Sequence, residues 1–256
     1  MSDRLLIGGN PAREIAAQQR ALALLERKHR RLIAVEIRRA SMLMVNKYAE
    51  IGAIPNLPDD HEARIRDAFL GMAEASIEMM GRRILEQGKA AGHDIERKDF
   101  GPMLLRLALE YIALEAIRAR ITSISMTTRK QIIALIEAGV DEGLGVQEVA
   151  RSIARSLPGF SQLRGALIAR TEIHGAANFG ADGAARSTGL PLRKEWAAAG
   201  DERTRESHVE ADGQMVEMNE PFIVGGAPMA YPGDVMGPPA ETINCRCAVI
   251  HHVKGF

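Results

Sequence analysis

RSTGLPLRKEWAAAG, residues 186–200, is where the chain changes texture. Up to Ser187 apolar residues recur at the three-and-four spacing of helices. After Gly189 glycine and proline become frequent and short extended runs take over. LRKEWAAA, QMVEM, PFIVG and CAVIHHV read as strands, with YPGD (231–234) as a turn. The expected fold class is α+β: a long, mainly helical N-terminal part followed by a small mixed α/β C-terminal module.

Working back from Ser187, Ser161 is the expected cap of a sixth helix. A short fifth lies in GLGVQEVARSIARSL and is expected to close at Pro158 and Gly159. Thr127 or Thr128 is expected to cap a fourth, through KQIIALIEAG. A third follows Asp99 and Pro102, with Leu104, Leu107, Tyr111, Leu114 and Ile117 along one side. The second runs from about His61 to Gln87 and ends in GKAAG. The first starts at the Asn10 cap and Pro11 and carries Leu22, Leu25, Leu32, Val35, Met42 and Val45. IPNLPDD stops it, because Pro55 and Pro58 cannot continue a helix. The methionines of SMLM and IEMM read as core, and the turn GVDEGLG as a plain helical hairpin. A DNA-reading helix-turn-helix would want more basic side chains than Arg151 and Arg155.

Composition narrows the classes. At 256 residues, 46% hydrophobic and 26% charged, the chain can bury a substantial core and is not of disordered type. The start, MSDRLLIGGNPAREIAAQ, has no signal-peptide pattern, and no apolar run approaches a membrane span, so no membrane association is expected. Two cysteines make no disulfide framework, and a reducing compartment is expected. The net charge of zero hides a split: from Glu195 onward ten acidic residues face four basic ones, so everything before carries the compensating positive excess. The excess is concentrated early, at Arg27, Lys28, Arg30, Arg31, Arg38 and Arg39, a candidate face for double-stranded DNA or an acidic protein partner. A solvated helix face is the plainer reading of the same residues.

The residues that can carry chemistry lie late. In DERTRESHVEADG, Asp201, Arg205, His208 and Asp212 share one face if the stretch is helical, as ion pairs, an acid–base pair or part of a metal site. INCRC holds both cysteines, Cys245 and Cys247, close to His251 and His252. Three readings stand side by side. A structural zinc would take Cys245, Cys247 and His208, with His251, His252 or Asp212 as fourth ligand. A thiol nucleophile would use His208 as base and Asp212 as orienter. Alternatively the cysteines are small buried hydrophobes closing the module. No Walker loop, dinucleotide fingerprint, His-Glu-x-x-His or zinc-deaminase pattern is present.

The order of motifs says more than any one of them. IIALIEAGVDEGLGVQEVARSIA leads to LIARTEIHGAANFGADGAARSTG, then KEWAAAGDERTRESHVEADGQMV, PFIVGG, YPGD and INCRC. Over about residues 130–250 this succession resembles the phage head-morphogenesis family, the Mu F-like minor capsid proteins. The pattern falls on Arg170, Thr171, Glu172, Trp196, Asp201, Arg203, Arg205 and His208, and continues to Cys245 and Cys247. Asp201, Arg203 and Arg205 are expected to lock turns. The resemblance implies residues 126–256 as the head-morphogenesis domain, with helices in 126–189 and the α+β module in 190–256, while the charge split suggests residues 1–125 as a helical docking arm. It further implies a non-enzymatic minor head protein of a tailed phage, assembled in the host cytoplasm and carried inside the capsid near the portal. Its expected partners are the portal protein, the major capsid or scaffolding protein, and packaged DNA. Its expected work is procapsid assembly and DNA packaging or ejection. The rival is a zinc- or thiol-dependent hydrolase, or a toxin-like effector, built on His208, Cys245 and Cys247.

Overall fold

The computed structural model describes residues 4–5, 11–90, 92–93 and 100–254; the cap expected at Asn10 and the helix start expected at Asp99 lie outside them. A two-residue strand β1 (Arg4–Leu5) precedes the long helices α1 (Pro11–Ile51), α2 (His61–Ala90), α3 (Phe100–Ala113), α4 (Glu115–Asp141) and α5 (Val146–Ser187). The module follows as β2 (Leu192–Ala197), α6 (Glu206–Glu210), β3 (Met215–Glu217), β4 (Phe222–Val224), β5 (Ala227–Met229), α7 (Pro239–Thr242) and β6 (Ala248–Val253). The α+β expectation holds, and the change of texture after Gly189 marks the real boundary between helix and strand.

Two helix boundaries differ from expectation. Pro158 does not end a helix but sits inside the 42-residue α5. Proline forfeits one backbone bond there, yet Val149, Ile153 and Leu157 before it and Ile168 and Ala169 after it are all buried, and this packing holds the axis through the fault. The other difference is the break between α3 and α4, which falls at Leu114 in an extended conformation (ψ 132°) rather than near Thr127. Thr128 caps nothing; its hydroxyl donates to the Ile124 carbonyl one turn back, at 2.8 Å.

α1 and α2 both lie along α5. One apolar cluster joins Ile33 and Ile37 of α1, Ile65, Phe69 and Ile77 of α2 and Ile173 of α5 to Trp196, Phe222, Cys245 and Val249 of the module. The α4–α5 hairpin and the end of α1 form a second cluster around Tyr48, Ile136 and Ile153. Met44 and Met80 are core side chains, as their spacing predicts. Gly165 sets the approach of α1: a Cβ there would lie 2.5 Å from the Arg30 carbonyl oxygen.

The main sheet is antiparallel, in the order β1-β6-β2-β3, with β4 and β5 as a separate hairpin. Trp196 is in register with Val249 and Leu192 with Val253. Every residue of β6 is buried, which its apolar run AVI and the packing of α5 against it explain.

Candidate functional site

Within β2, Trp196 is fully buried and makes edge contacts with the rings of His208, 5.4 Å away, and Phe222, 5.5 Å away. His208 sits on α6, a helix of only five residues, so the expected common face of Asp201, Arg205, His208 and Asp212 does not form. Asp201 lies in the turn before α6 and Asp212 in the turn after it. Asp212 accepts the Ala198 backbone N–H at 2.8 Å. Asp201 accepts the Arg203 backbone N–H at 3.1 Å and forms a forked pair with Arg246, Nη2 to Oδ1 being 2.6 Å. That pair, with help from the turn bonds, holds the Asp201 carboxyl down at about 2. Arg205 Nη2 donates to the Ile243 carbonyl at 2.6 Å.

Arg246 therefore turns outward, and its neighbours at either side turn inward, as alternate residues of an extended segment do. Cys245, Cys247 and His208 meet in the interior, each 2% exposed, with one ligand-capable atom from each within 4.8 Å of the others. His208 Nδ1 is 3.3 Å from Cys247 Sγ and 3.8 Å from Cys245 Sγ. The opposite ring nitrogen, Nε2, is 3.0 Å from Glu241 Oε2, which also accepts the Ser207 hydroxyl at 2.7 Å. The Cys245 thiol donates toward the Cys247 sulfur and so holds Cys247 down to about 5, assisted by His208. The same bond, with burial, pushes Cys245 well up.

The other expected donors are occupied elsewhere. His252 Nε2 is 2.5 Å from Glu195 Oε2, and His251 Nε2 is 3.5 Å from Asp182 Oδ1. A nucleophile also needs an open face, and a sulfur at 2% exposure gives a substrate none.

ARTE, residues 169–172, aims its three polar side chains at the loop that delivers the cysteines and at the elements beside it. Arg170 donates to Glu26 of α1 at 3.0 Å and to the Asn244 side chain at 3.0 Å. The Thr171 hydroxyl accepts the Asn244 N–H at 2.9 Å, which fixes a residue held at φ 63°. Glu172 accepts from Arg120 at 3.2 Å, and Arg120 reaches Thr242 at 3.0 Å. Burial pushes the Glu172 carboxyl up, and Arg120 offsets part of that.

Three contributors escape a reading of the sequence. Glu241 stands in a proline-rich turn with no periodic pattern, although PPAE announces a helix start. Asn178 looks like any polar residue of a helix, yet its amide donates to the carbonyls of Pro232 at 2.9 Å and Cys247 at 3.0 Å and accepts the Val249 N–H at 2.9 Å. Gly225, at φ 57°, leaves room for Glu241; a Cβ would come 2.6 Å from its Oε1.

Residues 130–250 match the sequence model of the family described as Phage Mu protein F like protein. The minor head protein GP7 of Bacillus phage SPP1 is 34% identical over 128 residues, covering 48% of this chain and 41% of that protein. A protein of Enterococcus faecalis named NAD(+)–arginine ADP-ribosyltransferase EFV is 32% identical over 124 residues, covering 47% of this chain and 25% of that protein. The chain thus spans less than half the length of either relative. No solved structure gives a significant match. The matched span contains the ARTE helix, the α6 histidine, the YPGD turn and the cysteine pair that hold one another in place, so the likeness to the Phage Mu protein F like family lies in residues 130–250.

Proposed function

We propose that this chain is a minor head protein of a tailed bacteriophage, carried inside the head beside the portal and contributing to procapsid assembly and to DNA packaging or ejection. The carrying observation is the match of residues 130–250 to the Mu F-like family, alongside the likeness to a minor head protein. Residues 126–256 supply a pinned, interior-facing scaffold in this reading, and residues 1–125 supply the docking arm. Among the described residues no helix is long and apolar enough to cross a membrane, which fits partners inside the particle.

The arm has a face to offer. Along α1, Leu24, Lys28, Arg31, Val35 and Arg38 recur every three or four residues and are all exposed, Leu24 at 62% and Val35 at 60%. Arg27 is exposed beside them, Arg30 is half-buried, and Arg39 is paired with Asp60 at 2.7 Å. Phosphates reward cations and ignore leucine and valine, so this mixed stripe suits an acidic amphipathic helix of the portal, shell or scaffold better than DNA.

The ADP-ribosyltransferase relative favours no second reading, because the chain matches a quarter of that protein. The test is to image procapsids made with and without the chain. Density at the portal vertex and a fall in infectious particles are expected. A chain absent from particles that assemble normally, together with an activity lost on Cys247→Ala, would replace the assembly reading with an enzymatic one. Binding of the arm to its partner is expected to survive moderate salt; an affinity that drops steeply with salt would hand the stripe to DNA.

A further inference from the structure

Two sulfurs and an imidazole nitrogen converge from segments 37 and 39 positions apart in sequence. Soft sulfur with imidazole nitrogen is the donor set that selects zinc over the hard cations. The orientation of the ring carries the case further. Glu241 accepts from Nε2 and also from Ser207, so Nε2 keeps its proton, and Nδ1, once it has released its own to a metal, presents a lone pair on the side of the two sulfurs. A carboxylate that fixes a histidine from behind while its other nitrogen faces thiolates is the usual outer partner of a metal-bound histidine. Gly225 keeps the space for that carboxylate open.

We propose that His208 Nδ1, Cys245 Sγ and Cys247 Sγ bind one Zn²⁺, with Glu241 holding the imidazole in register and a water completing the tetrahedron. His251, His252 and Asp212 are committed to Asp182, Glu195 and Ala198 and do not supply the fourth ligand. Each thiol that still carries a proton releases it on binding, so affinity falls as pH falls. The bound ion ties α6 to the segment leading into β6. The proposal stands apart from the assembly role.

Purified full-length protein from zinc-supplemented culture is the material for the test. About one zinc per chain is expected by elemental analysis, as for a single site of this kind. After chelation, Co²⁺ added to the wild-type chain is expected to give a thiolate-to-cobalt charge-transfer band and the intense visible bands of tetrahedral cobalt. Glu241→Gln keeps the donors and is expected to weaken zinc by roughly 10–100-fold in a chelator competition. Because Cys245→Ser and Cys247→Ser can fail to fold, the deciding measurements are the wild-type cobalt spectrum and the zinc affinity of Glu241→Gln. Zinc well below one per chain with no charge-transfer band, or unchanged affinity in Glu241→Gln, overturns the proposal and leaves a metal-free thiol–imidazole network.

Discussion

Asp201 shows how a single carboxylate fastens the cysteine segment. Its pair with Arg246 holds it at about 2, against an ordinary value of 3.8. A carboxyl depressed by folding adds stability that is complete above about pH 4 and disappears as pH falls through about 2. Asp201→Asn is therefore expected to be less stable than the parent at neutral pH. The gap in urea midpoint should close between those two pH values and shrink in high salt, because Asp201 is exposed. A gap that ignores pH would assign the loss to the turn bonds that Asp201 Oδ1 accepts from the Arg203 backbone N–H and, at 3.3 Å, from the Thr204 hydroxyl. The sequence singles out Asp201, Arg205, His208 and the cysteines, since those residue types draw attention at such spacing. It misplaces what unites them. Asp201 and Asp212 act in turns on either side of a five-residue helix, and only tertiary folding brings Glu241 and Asn178 to the site.

Among the elements, α5 carries the most. It holds ARTE, Asn178 and the glycine that meets α1, and it crosses Pro158 without stopping. Pro158 is exposed, so Pro158→Ala loses no packing and restores a bond to the preceding turn. The helix gains up to about 3 kcal/mol from the exchange, and the freer unfolded chain takes back about 1 kcal/mol. A rise in stability of about 1–2 kcal/mol is expected in thermal or urea unfolding. Gly165→Ala should do the reverse, since the new methyl meets the Arg30 carbonyl rather than a yielding side chain. A loss of about 1–3 kcal/mol is expected despite alanine's better helix propensity, and the melting temperature checks it. Strand and helix types are legible because period and turn residues mark them. The helix breaks are not: Leu114 has no breaker beside it, and Pro158 is a breaker overruled by the buried residues on both sides.

At the scale of the molecule, the family region does not own its core. Ile33, Ile37, Ile65 and Phe69 from the first two helices share one apolar cluster with Trp196 and Cys245. A fragment of residues 126–256 should therefore expose the α5 face that α1 and α2 cover. It is expected to bind hydrophobic dye and to unfold without a sharp transition, whereas the full chain unfolds cooperatively. A fragment with a sharp transition of its own would show that the first helices dock without bracing. The strand β1 adds a matter of timing. Arg4 and Leu5 pair with Val253 and His252, across nearly the whole sequence. Arg4 and Leu5 thus leave the ribosome long before their hydrogen-bonding partner has been synthesised, and this join is among the last to be made. Until then the outer side of β6 is an unpaired strand border, which the β1 segment of a second copy would fit as well as the chain's own.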